Sequence, residues 1–111
     1  MFAPGTKLAW AFLLVAVLFE ILFAIGIKKS NGFTDPLGSV LALVAVPGGL
    51  FFLSLGLRNI PLGIAYPVWT ALASVGVLVV SRLIFDEVIS IPQFIAVGVI
   101  IGGVVFLKFF S

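Results

Sequence analysis

From Leu8 to Ile27 the chain runs for twenty residues with one ionisable side chain, Glu20. At ~1.5 Å rise per residue, a helix of that length matches the ~30 Å hydrocarbon core of a bilayer. Three further apolar stretches of similar length follow, so spans are expected at about 8–28, 37–57, 62–84 and 91–109, joined by three short turns. Hydrophobic residues make up 63% of the 111 positions and charged residues 9%, with a mean hydropathy of +1.42. No soluble domain of this length hides that much apolar surface. The fold class is therefore an all-α membrane protein, one domain of four transmembrane helices over 1–111. The first stretch is too long for a signal-peptide core and no small-residue cleavage site follows it, so it reads as a retained span.

The boundaries have local causes. Pro4 and Gly5 hold off helix at the start, Trp10 suits one interface and Lys28 and Lys29 the other. Ser30 to Pro36 is rich in turn residues, and Pro36 can open the second span. That span is interrupted by Pro47, Gly48 and Gly49, which predicts a kink or a close helix contact. The third span carries an unusual polar and aromatic group: Tyr66, Pro67, Trp69, Thr70 and Ser74. Asp35, Asp86 and Glu87 read as plain solvated loop charges. In the fourth span Gly98 and Gly102 form a GxxxG pattern that lets helices approach closely.

Several function classes are excluded. The chain has no cysteine and no histidine, which removes thiol chemistry and the usual proton shuttle. No nucleophile–base pair, phosphate loop or metal-ligand spacing is present, so the chain is not read as an enzyme and no cofactor is expected. Its six basic residues form no run, so a nucleic-acid partner is not expected.

Four spans place the N-terminus, the second loop and the C-terminus on one side of the membrane. Lys7, Arg58 and Lys108 lie there; Lys28, Lys29 and Arg82 lie on the other. A count of three against three gives the positive-inside rule nothing to act on, so insertion in both orientations is as much expected as one. Four helices are also too few to enclose a pathway around a buried carboxylate. The expectation is a homodimer, with Gly98 and Gly102 as contact residues.

Glu20 is the residue no helix end can rescue. An intramembrane carboxylate is costly and marks a functional site by default. Ala16, Val17, Phe23 and Ala24 share its helix face. Ala16 leaves room beside it, and Phe23 offers a wall on which a cation could stack. No Lys or Arg lies at comparable depth. A carboxylate taken out of water without a counter-charge favours its neutral form. Such a group can hold a proton or, once ionised, a cation, and not both at once, which is the logic of exchange. Tyr66 and Trp69, three residues apart, could complete the site with π faces and polar donors. Two blander readings stay open: Glu20 as a permanently neutral group bonded to a serine, and Tyr66 and Trp69 as interfacial belt residues.

Taken together, these stretches resemble the small multidrug resistance family of bacterial four-helix transporters. Phe19-Glu20 through Lys28 is similar to the family's first-helix motif, Ser30 to Thr34 to its first loop, and Pro61 to Thr70 to its third-helix motif. The resemblance implies an antiparallel, dual-topology homodimer in the bacterial inner membrane, and proton-coupled antiport of small cations through a pair of glutamates equivalent to Glu20. It implies substrate contacts from Tyr66 and Trp69. Ala24 to Lys28 and Val68 to Thr70 are closer to the guanidinium-exporting branch. Three departures from that branch stand out. Phe23 stands where a Trp is usual, Gly49 where a Ser of the binding site is usual, and Ala71 and Ala73 where glycines are usual, with Pro67 between Tyr66 and Trp69. The first two changes enlarge the site and make it less polar, favouring a bulkier or more hydrophobic cation, such as a quaternary ammonium. A small dual-topology ion channel and one half of a heterodimeric pair remain alternative readings.

Overall fold

A computed structural model describes residues 6–109; the proline and glycine expected to delay the first helix lie outside them. The chain forms four helices: α1 (Thr6–Ser30), α2 (Pro36–Gly56), α3 (Leu62–Ile84) and α4 (Ile91–Phe109). All four are long and apolar enough to cross a membrane. The first outruns the expected 8–28 at both ends, because Thr6 and Lys7 join it at one end and Ser30 closes it at the other.

The connections are built from local hydrogen bonds. Ser30 is buried, and its carbonyl accepts from the Thr34 and Asp35 amides at 2.9 Å each. Asn31, Gly32 and Phe33 all have positive φ, so the turn reverses in the left-handed region that Gly and Asn tolerate best. Asp35 caps α2, its carboxylate accepting from Leu37 N at 3.0 Å, and Pro36 occupies the first helical turn. Asp35 is thus a helix cap rather than a plain loop charge. At α4, Gln93 Oε1 accepts from both Ser90 N (2.7 Å) and Ser90 Oγ (3.1 Å), the glutamine half of a capping box.

In lipid the hydrophobic effect does not drive helices together, and close backbone approach does much of that work. The α1–α2 seam follows this rule. The buried positions of α2 are Gly38, Ala42, Ala45, Gly49, Leu53 and Gly56, a stripe at three- and four-residue intervals that is small at every position but one. A Cβ on Gly26 would stand 2.6 Å from Ala42 N and 2.9 Å from Gly38 O, and one on Gly38 would collide with the Ser30 and Lys29 backbone. At Pro47-Gly48-Gly49 the expected close contact is present. The helix continues through Pro47, and a Cβ on Gly48 would lie 2.6 Å from Phe19 Cε1. The Phe19 ring stacks on Phe52 at 5.7 Å.

Helix α1 touches both α2 and α3, and α4 leans on α3. The core gathers Ala9, Leu13, Ala16 and Val17 of α1, Leu53 of α2, Ile60, and Ala65, Val68, Trp69 and Ala73 of α3. Lys108 Nζ lies 5.0 Å over the Trp10 ring, joining the end of α4 to the start of α1. No described residue of α4 is buried, and Gly98, Gly102 and Gly103 have open space where a Cβ would go. The molecule is a slab of 47 × 34 × 17 Å.

Candidate functional site

Glu20 sits mid-length on α1, half-buried, where α1 faces both α2 and α3. Its carboxylate has no hydrogen bond or ion pair among the described residues. Two cavities meet it. One, of about 440 Å³, is lined by Glu20, Tyr66, Trp69, Thr70, Ala73, Ser74 and Val77. The other, of about 230 Å³, is lined by Glu20, Phe23, Ala45, Val46, Gly49, Leu50 and Trp69. Five of the six residues singled out from the sequence thus border one or both: Glu20, Phe23, Gly49, Tyr66 and Trp69.

The sixth, Ala16, lies elsewhere. It is fully buried in the core and lines neither cavity. Its carbonyl faces Gly49, 3.9 Å from where a Cβ would stand. The i−4 neighbour of Glu20 is turned into the α1–α2 seam, whereas Phe23 borders the cavity beside α2.

Helix α3 supplies the polar wall. Tyr66 and Trp69 meet edge to face at 5.4 Å between ring centroids. Trp69 is buried, and its Nε1 donor has no partner among the described residues. Tyr66 is half-exposed on the open face of the slab. Thr70 Oγ1 donates to Tyr66 O (3.0 Å) and Pro67 O (3.2 Å), and Ser74 Oγ donates to Thr70 O at 2.8 Å. With their protons committed to the helix, both hydroxyls present lone pairs, which suits a cation. Pro67 lacks an amide, so the Gly63 carbonyl loses its ordinary helical donor one turn from the site.

Thr70, Ala73, Ser74 and Val77 were not singled out as site residues from sequence. The signal was there: Tyr66, Thr70, Ala73 and Val77 repeat at the helical period and continue one face of α3. Arrayed together, these groups offer one unpaired carboxylate, aromatic faces, hydroxyl acceptors and a buried indole donor. No described cluster of acidic, His or Cys residues could hold a metal ion. The arrangement can hold a single positive charge with an apolar or planar body beside it.

Comparison with known proteins agrees with the architecture. The family model described as Small Multidrug Resistance protein matches residues 8–100. The chain is 35% identical to a protein named guanidinium exporter from Yersinia pseudotuberculosis serotype I (strain IP32953), over 94% of this chain and all of that one. It is 35% identical to a guanidinium exporter from Citrobacter freundii, over 91% of this chain and 96% of that one. It is 42% identical to the uncharacterized membrane protein YvaE of Bacillus subtilis (strain 168), over 89% of this chain and 83% of that one. With four membrane-spanning helices and a family match along most of its length, the chain belongs to the small multidrug resistance family, as a multi-pass protein of the bacterial inner membrane.

Proposed function

We propose that this protein exports small organic cations in exchange for protons, and that proton and cation compete for Glu20. One observation carries the reading: an unpaired carboxylate at mid-helix borders two cavities at once, with an aromatic pair beside it. A group with no built-in counter-ion must be neutralised by something that comes and goes. The relatives named guanidinium exporters support the cargo class.

The cavity beside α2 argues for an apolar substituent on that cargo. Apart from Glu20 its lining is apolar side chains, an indole and Gly49, with no hydroxyl to receive the remaining N–H groups of a bare guanidinium. An alkylated guanidinium or a compact quaternary ammonium fits that lining better. The functional unit is an antiparallel homodimer. Two features support this: an α4 with no buried residue, and the even charge count across the membrane.

The test is flux in proteoliposomes across a panel of guanidinium, alkylguanidinium, tetraalkylammonium and planar aromatic cations. A cation gradient drives opposing proton movement with the native protein, and Glu20→Gln abolishes it. Coupled exchange surviving in Glu20→Gln, or anion flux independent of protons, would refute the proposal.

A further inference from the structure

A third cavity, of about 310 Å³, lies between the C-terminal halves of α1 and α3 and does not include Glu20. It shares Ser74 and Val77 with the larger Glu20 cavity, so the two adjoin. Its far end carries Lys28, Phe85 and Glu87. Lys28 Nζ lies 4.0 Å from Glu87 Oε2 and 5.9 Å from the centroid of the Phe85 ring. A carboxylate and an aromatic face are therefore arranged around one organic cation, which here belongs to the protein itself. Both side chains of the ion pair are more than half exposed, at 62% and 51%. Solvent screening leaves such a pair weak and readily exchanged. The backbone that carries the carboxylate is fixed: Phe85 N and Glu87 N both donate to Ser81 O at 3.1 Å, with Asp86 between them at φ 53°. Between this end and Ser74, Ser81 Oγ donates to Leu78 O at 2.8 Å and keeps its lone pairs for a passing positive charge.

We propose that Glu87 and Phe85 form an outer station for the cationic cargo, and that the Lys28 ammonium fills this station when no cargo is present. An arriving guanidinium or alkylammonium displaces Lys28, takes the Glu87 carboxylate and the Phe85 face, and moves on past Ser81 and Ser74 to Glu20. The inference rests on the export reading above. In an antiparallel dimer the two copies of the station lie at opposite membrane faces, one at each mouth.

An ion pair that serves only the fold makes its two partners equivalent: losing either breaks the same contact. A station makes them opposite, because Lys28 competes with cargo and Glu87 binds it. Initial rates of methylguanidinium-driven proton flux in proteoliposomes read the difference. Glu87→Gln raises KM about three- to fivefold with the maximal rate unchanged, Phe85→Leu raises it less, and Lys28→Met lowers it. The double variant Lys28→Met/Glu87→Gln behaves like Glu87→Gln alone. Shifts of KM in the same direction for Lys28→Met and Glu87→Gln overturn the proposal, as does no shift in either.

A second readout separates this idea from the Glu20 mechanism. The Lys28 side-chain nitrogen resonance is followed during methylguanidinium titration, with potassium chloride at equal ionic strength as control. It moves saturably in native protein and in Glu20→Gln, and does not move in Glu87→Gln. Movement equal to the potassium control, or movement retained in Glu87→Gln, overturns the station whatever becomes of Glu20.

Discussion

Glu20 of α1 and Trp69 of α3 line both central cavities, so a ligand entering either meets the same carboxylate and the same indole. The two differ in how they are satisfied. The carboxylate is half-exposed, while the indole Nε1 is buried with no partner among the described residues. A buried donor left unmatched costs ~1–3 kcal/mol, which a ligand-binding residue can recover only when its partner arrives.

Trp69→Phe therefore separates stability from function. Phenylalanine keeps most of the apolar contact with the core and removes the unmatched donor. The thermal midpoint of the detergent-solubilised protein stays level or rises. Cation-driven proton flux falls by about tenfold, the worth of one hydrogen bond near a charge. A large loss of stability in this variant would place Trp69 in the packing alone.

Gly49 controls the polarity of the cavity beside α2. A Cβ there would stand 3.2 Å from Phe19 Cβ, so α1 and α2 must part by a few tenths of an ångström to admit it. Gly49→Ser puts a hydroxyl acceptor beside Phe23 and takes up part of the 230 Å³. Competition flux assays then show preference moving toward unsubstituted guanidinium and away from alkylated cations, by about three- to tenfold.

The glycines divide into two classes with opposite expectations. Gly26→Ala would drive a methyl into the Ala42 and Gly38 backbone, which side-chain motion cannot relieve. It lowers stability by about 1–3 kcal/mol and cuts the yield of folded protein. Gly98 and Gly102 meet nothing within the chain. Gly98→Leu with Gly102→Leu leaves the single chain folded and weakens the dimer, read by cross-linking in liposomes. A loss of folded yield equal to that of Gly26→Ala would contradict the placement of α4 at the subunit seam.

Much of this arrangement was legible in the chain before any coordinates. The apolar stretches marked four spans because a bilayer imposes one length on every helix. The isolation of Glu20 from any basic residue also showed, and the three-residue spacing of Tyr66 and Trp69 brought their rings to one face. Ala16 was not legible. Helical spacing names the neighbours of Glu20 on both flanks, and only the α2 seam decides which flank is filled by another helix. Glu87 was hidden for a related reason. It lies 59 positions from Lys28 in the chain, and α1 and α3 bring the two together only by packing side by side.

The competition at Glu20 is tested most directly by proton release on cation binding. Purified protein in weakly buffered detergent solution is mixed with a saturating alkylguanidinium while pH is followed. The account predicts that native protein releases protons as the cation binds and that Glu20→Gln releases none. Saturable cation binding to the native protein with no proton released at any starting pH would contradict it.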